Sequence, residues 1–392
     1  IDEVLVLKMA GPNTFTRDDT VEINCHGGTV VLRRILELVV REGARLAEPG
    51  EFSKRAFLNG RLDLAQAEAV IDLINSKTDE SSRAAISQLE GRLSERIRTA
   101  RKKLIELIAH IEAGVDYPEY DIEEITGTMI YERLGEIRQD LARVAEGFEK
   151  GRIIREGINA VIIGKPNVGK SSLLNELTGK NKAIVTDIPG TTRDIIEEYI
   201  NIKGVPVKIT DTAGIRETAD VVEKIGVERA EKAIEAADLI LFMIDAEAGI
   251  TPEDAAILHK IRNRKVILVV NKIDLTGDVP PLKGYESLPA VVTSLKDDVG
   301  VGDLERLIED MFLKGDINTG SEVLLTNIRH KNLIDSAAAS IGEARKAHES
   351  AMPLDFITID IKNAAEYLGQ ITGESVREDV MHEIFSRFCI GK

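Results

Sequence analysis

The sequence predicts a multidomain α/β protein, in which a doubly wound parallel sheet is inserted into an α-helical domain and follows a small α/β domain. The chain has 392 residues, too many for one hydrophobic core. Its middle part contains five short apolar runs, each followed by a polar or glycine-containing loop. On both sides of that part, apolar residues recur at helical spacing.

Composition and charge narrow the class of protein. Hydrophobic residues make up 43% and charged residues 30% of the chain, as in a globular protein. The net charge of -16 argues against a protein that wraps nucleic acid over its whole surface, so an RNA partner needs a local basic patch or a second protein. No apolar run is long enough to span a bilayer and no basic-apolar leader opens the chain, so we expect a cytoplasmic protein without a membrane segment.

Residues 1–59 form the predicted small α/β domain. Residues 4–8 and 20–24 have strand character, and residues 30–41 form an amphipathic helix. Because Ile1 leads directly into a strand-like segment, we expect the sequence to begin inside this domain. The pair Cys25-His26 precedes two glycines, and a turn explains it better than a metal site, because no further ligand lies nearby. One face of this helix is predicted to carry Val31, Ile35, Leu38 and Val39.

Residues 60–152 and 314–392 form the two predicted parts of the helical domain. The densest basic run lies at 92–103, where a solvated helix face is favoured over an RNA patch. With the only cysteines at Cys25 and Cys389, the chain has no disulfide framework. The predicted buried stripes are Leu104, Leu107, Ile108, Ile111 and Val115; Leu333, Ile334, Ala337, Ala338 and Ile341; and Val380, Ile384, Phe385 and Phe388.

The inserted domain, residues 153–313, opens with a phosphate-binding signature. The sequence Gly164-Lys-Pro-Asn-Val-Gly-Lys-Ser171 stands between an apolar run and a helical segment, as a P-loop requires. Its glycines allow backbone N–H groups to point at a phosphate. Lys170 is expected on the β- and γ-phosphates and Ser171 on Mg²⁺. The predicted contact residues are Asn167, Val168, Gly169, Lys170, Ser171 and Ser172.

A guanine-selective motif follows the fourth apolar run of this domain. Guanine presents two adjacent N–H donors that one carboxylate can accept together, so Asp274 is expected to select GTP over ATP. Asn271 is expected to hold the loop or the base, the stem of Lys272 to pack on the ring, and residues 294–296 to supply a backbone donor. The predicted base-binding residues are Asn271, Lys272, Ile273, Asp274, Ser294, Leu295 and Lys296.

Two further segments complete the pattern of a GTPase. Asp211-Thr-Ala-Gly214 ends the second apolar run, where a Mg²⁺-water ligand and γ-phosphate sensor belong, and Thr192 is the best candidate for a second hydroxyl on Mg²⁺. Four motifs in this order predict a GTPase that uses GTP and Mg²⁺. The predicted residues are Thr186, Asp187, Ile188, Pro189, Gly190, Thr191, Thr192, Asp211, Thr212, Ala213 and Gly214.

The residue after Gly214 departs from many GTPases. A glutamine there orients the attacking water, but this chain has Ile215, which has no side-chain hydrogen-bonding group. Another group must therefore position the water. The spacing alone does not choose among the acidic candidates Glu217, Asp220, Glu223 and Glu228.

The whole chain resembles the MnmE (TrmE) family of tRNA modification GTPases. The resemblance rests on Asn167 in the P-loop, on residues 186–194 and 211–217, on Leu58-Asn-Gly-Arg-Leu-Asp-Leu-Ala-Gln-Ala-Glu68, and on the terminal Phe388-Cys-Ile-Gly-Lys392. It implies an N-terminal folate-binding-like domain, a helical domain and a G domain inserted into it. The opening residues of that family have no counterpart here, so we expect part of the folate pocket to be missing.

The resemblance also implies roles for individual residues. It places K⁺ at Asn167, Thr186, Ile188 and Thr191, where the cation replaces a missing catalytic arginine, and it makes Glu223 the catalytic glutamate when two G domains meet. Contacts to a reduced folate, either 5,10-methylenetetrahydrofolate or its 5-formyl form, are implied for Glu22, Arg61 and Lys392; ordinary surface charges are the alternative.

Cys389 is linked by the same resemblance to the modification reaction. Inert packing is the alternative, and prenylation is disfavoured because Cys-Ile-Gly-Lys lacks the second aliphatic residue.

The function implied is a K⁺-stimulated GTPase that acts with the flavoprotein MnmG in folate-dependent addition of an aminomethyl-type group to C5 of the tRNA wobble uridine. Its expected partners are a second copy through the N-terminal domain, MnmG in a heterotetramer, and tRNA. The alternative is a GTP-driven binding switch in RNA or ribosome assembly. Such a switch would need an RNA-binding appendage, usually basic, whereas the appendages here are acidic.

Overall fold

The computed structural model describes residues 1–116, 123–180, 199–211, 233–282, 284–313, 324–388 and 391. Its helices include α1 (Thr29–Arg41), α2 (Glu51–Leu58), α3 (Leu64–Ile74), α4 (Asp79–Leu89), α5 (Arg92–Asp116), α6 (Glu123–Glu146), α7 (Phe148–Glu156), α8 (Lys170–Lys180), α9 (Pro252–Lys260), α10 (Ile273–Thr276), α11 (Val301–Leu313), α12 (Ile328–Glu349), α13 (Leu354–Thr372) and α14 (Glu378–Ser386). The strands are β1 (Leu5–Met9), β2 (Thr20–Asn24), β3 (Ile158–Gly164), β4 (Tyr199–Ile202), β5 (Val205–Asp211), β6 (Leu239–Asp245), β7 (Val266–Asn271) and β8 (Ala290–Val292).

The chain divides into two compact units. One contains Ile1–Ile74, Ala85–Phe148 and Val323–Lys392, and the other contains Asn75–Ala84 and Glu149–Glu322. The larger segment of the second unit, Glu149–Glu322, therefore lies between two parts of the first along the chain, which is the inserted arrangement that the sequence predicts. The short segment Asn75–Ala84 also belongs to the second unit, although the predicted boundaries place it in the helical domain.

The first unit opens with a two-stranded antiparallel sheet and one helix. β1 pairs with β2, with Leu5 opposite Asn24 and Met9 opposite Thr20. In α1 the predicted face is half-buried, whereas neighbours such as Leu32 and Leu36 are exposed. No residue of α1 is fully buried. This part of the chain thus presents apolar side chains to its surroundings.

The hydrophobic core of the first unit is built by the long helices α5, α6, α12 and α13. Leu104, Leu107 and Ile111 are buried as the sequence predicts, and Ile108 packs against them. Their spacing puts them on one helical face. The core also contains Leu93, Ile97, Ile130, Leu134, Ile137, Leu141, Ile334, Ala337, Ile341, Ile357, Ile361, Ala364 and Leu368.

A buried cluster of charges joins α3 to the start of α12. The Glu68 carboxylate accepts from His330 Nε2 at 2.7 Å and from Arg329 Nη2 at 2.7 Å and Nε at 3.0 Å. Glu68 is 6% exposed and His330 is 0% exposed. Asn327 Nδ2 donates to the same carboxylate at 3.3 Å and caps α12 by accepting from Arg329 N. The cluster therefore connects the two sequence segments that form the helical domain.

The second unit contains a six-stranded sheet in the order β4-β5-β3-β6-β7-β8. All neighbours are parallel except β4 and β5. Every residue of β7 is buried, and so are all residues of β6 except its last, as expected for strands covered on both faces. The doubly wound fold is confirmed, and it brings the carboxyl ends of β3, β5, β6 and β7 to one edge, where such sheets bind ligands.

The antiparallel edge strand β4 is absent from the sequence prediction. It pairs with β5 through a two-residue turn at Lys203-Gly204, with φ of 48° and 93°. Positive φ at both positions matches a tight hairpin turn, in which glycine is favoured. In the sequence, only the glycine of Lys203-Gly204 indicates this turn, and β4 has only four residues, which is short for a strand to be predicted from its pattern.

Candidate nucleotide-binding site

The P-loop connects β3 to α8, and two glycines allow it to lie close to the sheet. Gly164 has φ of 149°, and a Cβ placed on it would lie 2.4 Å from Met243 O. Gly169 has φ of 107°, and its Cβ would lie 2.4 Å from Asn271 Nδ2. Both positions therefore exclude a side chain, because any larger residue would push the loop away from β6 or β7.

Lys170 begins α8 with its ammonium folded back over the loop. Its Nζ donates to Gly164 O at 3.0 Å and to Lys165 O at 2.6 Å, and the residue is 9% exposed. The next two residues, Ser171 and Ser172, are exposed in the first turn of the helix. A helix N-terminus with a lysine and hydroxyls beside it is suited to an anion such as a phosphate chain.

Asn271 ends β7 and ties the P-loop to the loop that follows β8. Its Nδ2 donates to Val168 O at 2.8 Å, and its Oδ1 accepts from Thr293 Oγ1 at 3.1 Å and Leu295 N at 3.3 Å. The side chain is 3% exposed, so all three bonds are made away from water. The Asn271 amide thus holds the P-loop, which is the first of its two predicted roles, and its hydrogen bonds are accounted for without a contact to a base.

Lys272 is held in position by a carboxylate from the neighbouring strand. It adopts φ of 69°, and its Nζ donates to Asp245 Oδ2 at 2.8 Å. Burial raises the pKa of Asp245, but the hydrogen bonds from Lys272 and from the backbone N–H groups of Glu247 and Ala248 outweigh it, so the pKa lies below its ordinary value. The carboxylate therefore stays ionised, and the lysine stem keeps one orientation.

The predicted guanine-selective carboxylate lies beside the predicted backbone-donor loop. Ser294 Oγ hydrogen-bonds Asp274 Oδ1 at 2.9 Å and Asp297 Oδ2 at 3.0 Å. Ser294 is buried, whereas Asp274 and Lys296 are exposed. Ile273 N donates to Thr293 O at 3.2 Å, which joins the two loops through the backbone as well. The structure therefore brings residues 271–274 and 294–296 into one corner.

A second candidate site lies in the first unit. A cavity of about 780 Å³ is lined by Arg61, Phe57, Arg98, Glu374 and their neighbours. Arg61 Nη1 donates to Thr14 O at 2.9 Å, and its guanidinium lies 5.5 Å from the centroid of the Phe15 ring. Glu22, which is exposed on β2, is not among the lining residues.

Comparison with protein families decides the identity of the chain. The family model of the MnmE helical domain matches residues 64–389, more than half of the sequence, and that of the TrmE GTP-binding protein N-terminus matches residues 1–61. The chain belongs to the MnmE family of tRNA modification GTPases. It is a GTP hydrolase with a role in tRNA modification.

Curated MnmE relatives match over the full chain. The tRNA modification GTPase MnmE of Acetivibrio thermocellus is 65% identical over 396 residues, covering 100% of this chain and 86% of that protein. The MnmE of Clostridioides difficile is 50% identical with the same coverage. A crystal structure of Aquifex aeolicus Era bound to GDP and aluminium fluoride is 33% identical, covering 47% of this chain and 66% of that one. Its TM-score of 0.31 is too low to support a structural argument.

Several residues predicted for this MnmE-family site lie outside the described part of the chain. They include Glu223, Cys389 and Lys392, the segment 186–192, and residues 212–214. Asp211 closes β5 beside the P-loop strand, in register with Ile162 of β3. Asn167 lies at the top of the loop with φ of 64° and is exposed.

Sequence reasoning missed a lysine that ties the P-loop to α9. Lys165 Nζ hydrogen-bonds Thr251 Oγ1 at 2.5 Å and pairs with Glu253. The hydrogen bond to Glu253 raises the pKa of Lys165. Thr251 caps α9 and forms a capping box with Asp254. The sequence signal was Thr251-Pro-Glu-Asp254, a helix start whose proximity to the loop depends on the fold.

Among the described residues, no helix is both long and apolar enough to cross a membrane. Nor do three or more histidine, cysteine or acidic residues gather there in a way that could hold a metal ion. At the Cys25-His26 turn, His26 instead hydrogen-bonds Asp2 through Nδ1 and through its backbone N–H, at 2.9 and 2.8 Å.

Proposed function

We propose that this chain is a K⁺-stimulated, Mg²⁺-dependent GTPase that acts with the flavoprotein MnmG in folate-dependent modification of the tRNA wobble uridine. The observation that carries the nucleotide part is the bonding of Asn271. One buried amide holds Val168 of the P-loop and Leu295 of the base loop. The amide thereby joins the proposed phosphate-binding loop to the proposed base-binding loop, as a site for one nucleotide requires.

The selectivity for guanine rests on Asp274 in this proposal. A carboxylate accepts from both N1–H and N2–H of guanine, and Ser294 holds one of its oxygens in place. Xanthine replaces the amino donor by a carbonyl, so an amide at this position suits xanthine better. Asp274→Asn should therefore weaken GTP binding and strengthen XTP binding, measured by titration with fluorescent analogues. An unchanged preference would contradict the role of Asp274.

The hydrolysis step needs positive charge and a positioned water. Mg²⁺ prefers oxygen ligands. Ser171, which follows Lys170 in α8, offers a hydroxyl, and Asp211, the last residue of β5, is a carboxylate residue. Mg²⁺ would neutralise phosphate charge there. K⁺ at Asn167, Thr186, Ile188 and Thr191 would supply the charge that an arginine supplies in other GTPases.

Catalysis in this proposal depends on Glu223, because Ile215 has no group that could hold the water. GTP hydrolysis should be faster in KCl than in NaCl at equal ionic strength. Glu223→Ala should abolish turnover and leave GTP affinity unchanged. Glu247→Ala, which removes an exposed carboxylate, should leave both turnover and GTP affinity unchanged. Equal rates in the two salts would rule out the K⁺ part, and full turnover by Glu223→Ala would rule out the role of that residue.

The folate part of the proposal is supported by the cavity at Arg61. A guanidinium suits the anionic tail of a folate, and an aromatic wall suits its ring system. Phe57 of that wall packs on Phe385, whose ring centroid lies 5.4 Å from that of Phe388. Phe388 directly precedes Cys389, so the terminal residues Cys389 and Lys392 follow a side chain packed beside the cavity wall.

The test of this part is a titration with 5-formyltetrahydrofolate. Arg61→Gln should weaken binding, whereas Arg33→Gln, on the exposed surface of α1, should not. Glu22→Gln separates a folate contact from an ordinary surface charge, since only the first predicts weaker binding. Absence of folate binding by the wild-type chain would favour a GTP-driven switch instead.

The partners proposed are a second copy of the chain, MnmG and tRNA, in the cytoplasm. The exposed apolar residues of β1, β2 and α1 support self-association through the N-terminal domain. Leu32→Glu should shift sedimentation from dimer to monomer, whereas Leu58→Glu, equally exposed on α2, should not. Sedimentation of the wild-type chain as a monomer would contradict self-association. The residues with more than half of their surface exposed are Leu5, Val6, Val21, Val30, Leu32 and Leu36.

A further inference from the structure

Most cations of the densest basic run of the sequence, residues 92–103, are paired with carboxylates. Arg98 pairs with Asp63 at 2.7 Å and Arg101 with Glu374 at 2.5 Å. Lys103 pairs with Asp140, and Arg92 and Lys102 pair with glutamates on the same surface. A phosphate chain would have to compete with these carboxylates. The most obvious candidate for RNA contact is therefore weak.

A groove between α6 and α12 has the opposite character. It has a volume of about 380 Å³, and its floor includes small residues of α12 such as Ala338 and Gly342. Its walls carry three cations, Arg138, Arg345 and Lys346. These residues lie about 200 positions apart in sequence, so no run of basic residues marks the groove.

The guanidinium of Arg345 is held in one orientation. Its Cζ lies 4.1 Å from the centroid of the Tyr131 ring. Gly135 also lies beside the guanidinium, because a Cβ placed on Gly135 would lie 3.8 Å from Arg345 Cζ. Arg345 Nε is buried without a hydrogen-bond partner. A stacked guanidinium keeps its donors in a fixed plane, as bidentate contact with a phosphate requires.

The charge balance of the groove favours an anion. Lys346 pairs with Glu343 at 2.7 Å, and Glu349 accepts from Tyr131 Oη at 2.8 Å. Within the described ranges, Arg138 and Arg345 make no ion pair with a carboxylate. Two guanidinium groups thus remain available on one groove of an otherwise acidic chain.

We propose that the groove between α6 and α12, through Arg138 and Arg345, binds the phosphate backbone of the tRNA substrate. The proposal rests on the tRNA role of the family and adds the location of a contact. Tyr131 and Gly135 lie one turn apart on α6 and position Arg345, while Arg138 lies one further turn along the same face. Both arginines therefore line one groove, where they can contact the same phosphate backbone.

The test is a salt titration of tRNA binding by the full chain. Each phosphate contact contributes about 0.7 to 0.9 to the slope of log K against log salt. If both contacts are lost, the variant's loss of affinity relative to wild type should be about 25- to 60-fold larger at 0.1 M salt than at 1 M salt. The variant is Arg138→Gln with Arg345→Gln, measured by fluorescence anisotropy with an unmodified tRNA transcript. Its slope should fall by about 1.4 to 1.8.

The matched control is Arg133→Gln, an exposed arginine on another face of α6, which should leave slope and affinity unchanged. Arg345→Lys keeps the charge and should retain most of the slope, which separates electrostatic contact from lost packing. GTP hydrolysis without tRNA should be the same in all variants.

Three results would overturn the proposal. A double variant with the slope of the wild type, or an equal loss in Arg133→Gln, would exclude the groove as a phosphate contact. So would a variant that keeps tRNA binding and loses binding of a protein partner. If the wild-type chain hydrolyses GTP but binds no tRNA, the tRNA role in the proposed function is wrong. That result differs from failure of the groove proposal alone, in which the wild-type chain binds tRNA and the double variant binds it equally well.

Discussion

Replacing Glu68 by glutamine tests whether the helical domain depends on its buried charge cluster. The carboxylate accepts from Arg329, His330 and Asn327, which come from the second sequence segment of that domain. Glutamine has one acceptor oxygen and a donor NH₂, so its NH₂ would face the Arg329 and His330 donors. The substitution would leave the part-buried Arg329 guanidinium without its carboxylate partner beside the buried His330, and breaking a buried pair in this way costs about 3–5 kcal/mol.

The lowered pKa of Glu68 points in the same direction. Burial raises this pKa, but the charges of His330 and Arg329 and their hydrogen bonds outweigh burial and lower it from 4.5 to about 2. At 1.36 kcal/mol per unit, this shift corresponds to about 3 kcal/mol. Because the pKa is lower in the folded state, the stabilisation is complete above about pH 4.5 and is lost as the pH falls towards 2.

Hydrogen exchange read by mass spectrometry is the suitable assay, because a protein of two units does not unfold as one cooperative step. In Glu68→Gln, peptides of α3 and α12 should exchange about 100-fold faster at neutral pH, which is what about 3 kcal/mol predicts. The matched control is Glu112→Gln, which breaks an exposed pair with Lys362 at 2.8 Å. That pair should contribute at most about 1 kcal/mol.

The outcome that would refute the reasoning is equal exchange in the Glu68 and Glu112 variants. Exchange in wild type should also accelerate between pH 4.5 and 2 beyond the intrinsic pH dependence, and this extra acceleration should be absent in Glu68→Gln. If it persists, other carboxylates carry the acid sensitivity of α3 and α12.

Three further substitutions test the nucleotide site. Asn271→Ala leaves buried groups of the P-loop without a partner, which costs about 1–3 kcal/mol. GTP binding measured by calorimetry should therefore weaken about 5- to 150-fold. An affinity within twofold of wild type would contradict the role of Asn271 in holding the loop. Gly169→Ala should abolish GTP binding, because the new Cβ would lie 2.4 Å from Asn271 Nδ2, whereas Gly179→Ala in open space on α8 should preserve it. Lys165→Met should loosen the P-loop from α9 and weaken GTP binding about 3- to 10-fold, because one partly exposed contact is lost. If hydrogen exchange became faster only in α9 and not in the P-loop, the proposed link between them would be contradicted.

The nucleotide site could be predicted from sequence to the extent that its parts are local. Gly164, Gly169 and Lys170 lie within seven residues, and their backbone needs can be recognised without the fold. The prediction that Asp274 selects guanine needed only the two N–H donors of the base, which one carboxylate can accept. The contact from Asn271 to Val168 spans 103 residues, and it follows only from the order of strands in the sheet.

The identities of the motifs and the family were therefore determined by the sequence, because spacing along a strand, loop or helix is a local property. The tertiary structure decided which charges remain available. It neutralised the basic run at Arg98 and Arg101, and it gathered Arg138 and Arg345 into one groove. Ion pairing and burial depend on neighbours brought together from distant parts of the chain, which residue order alone does not reveal.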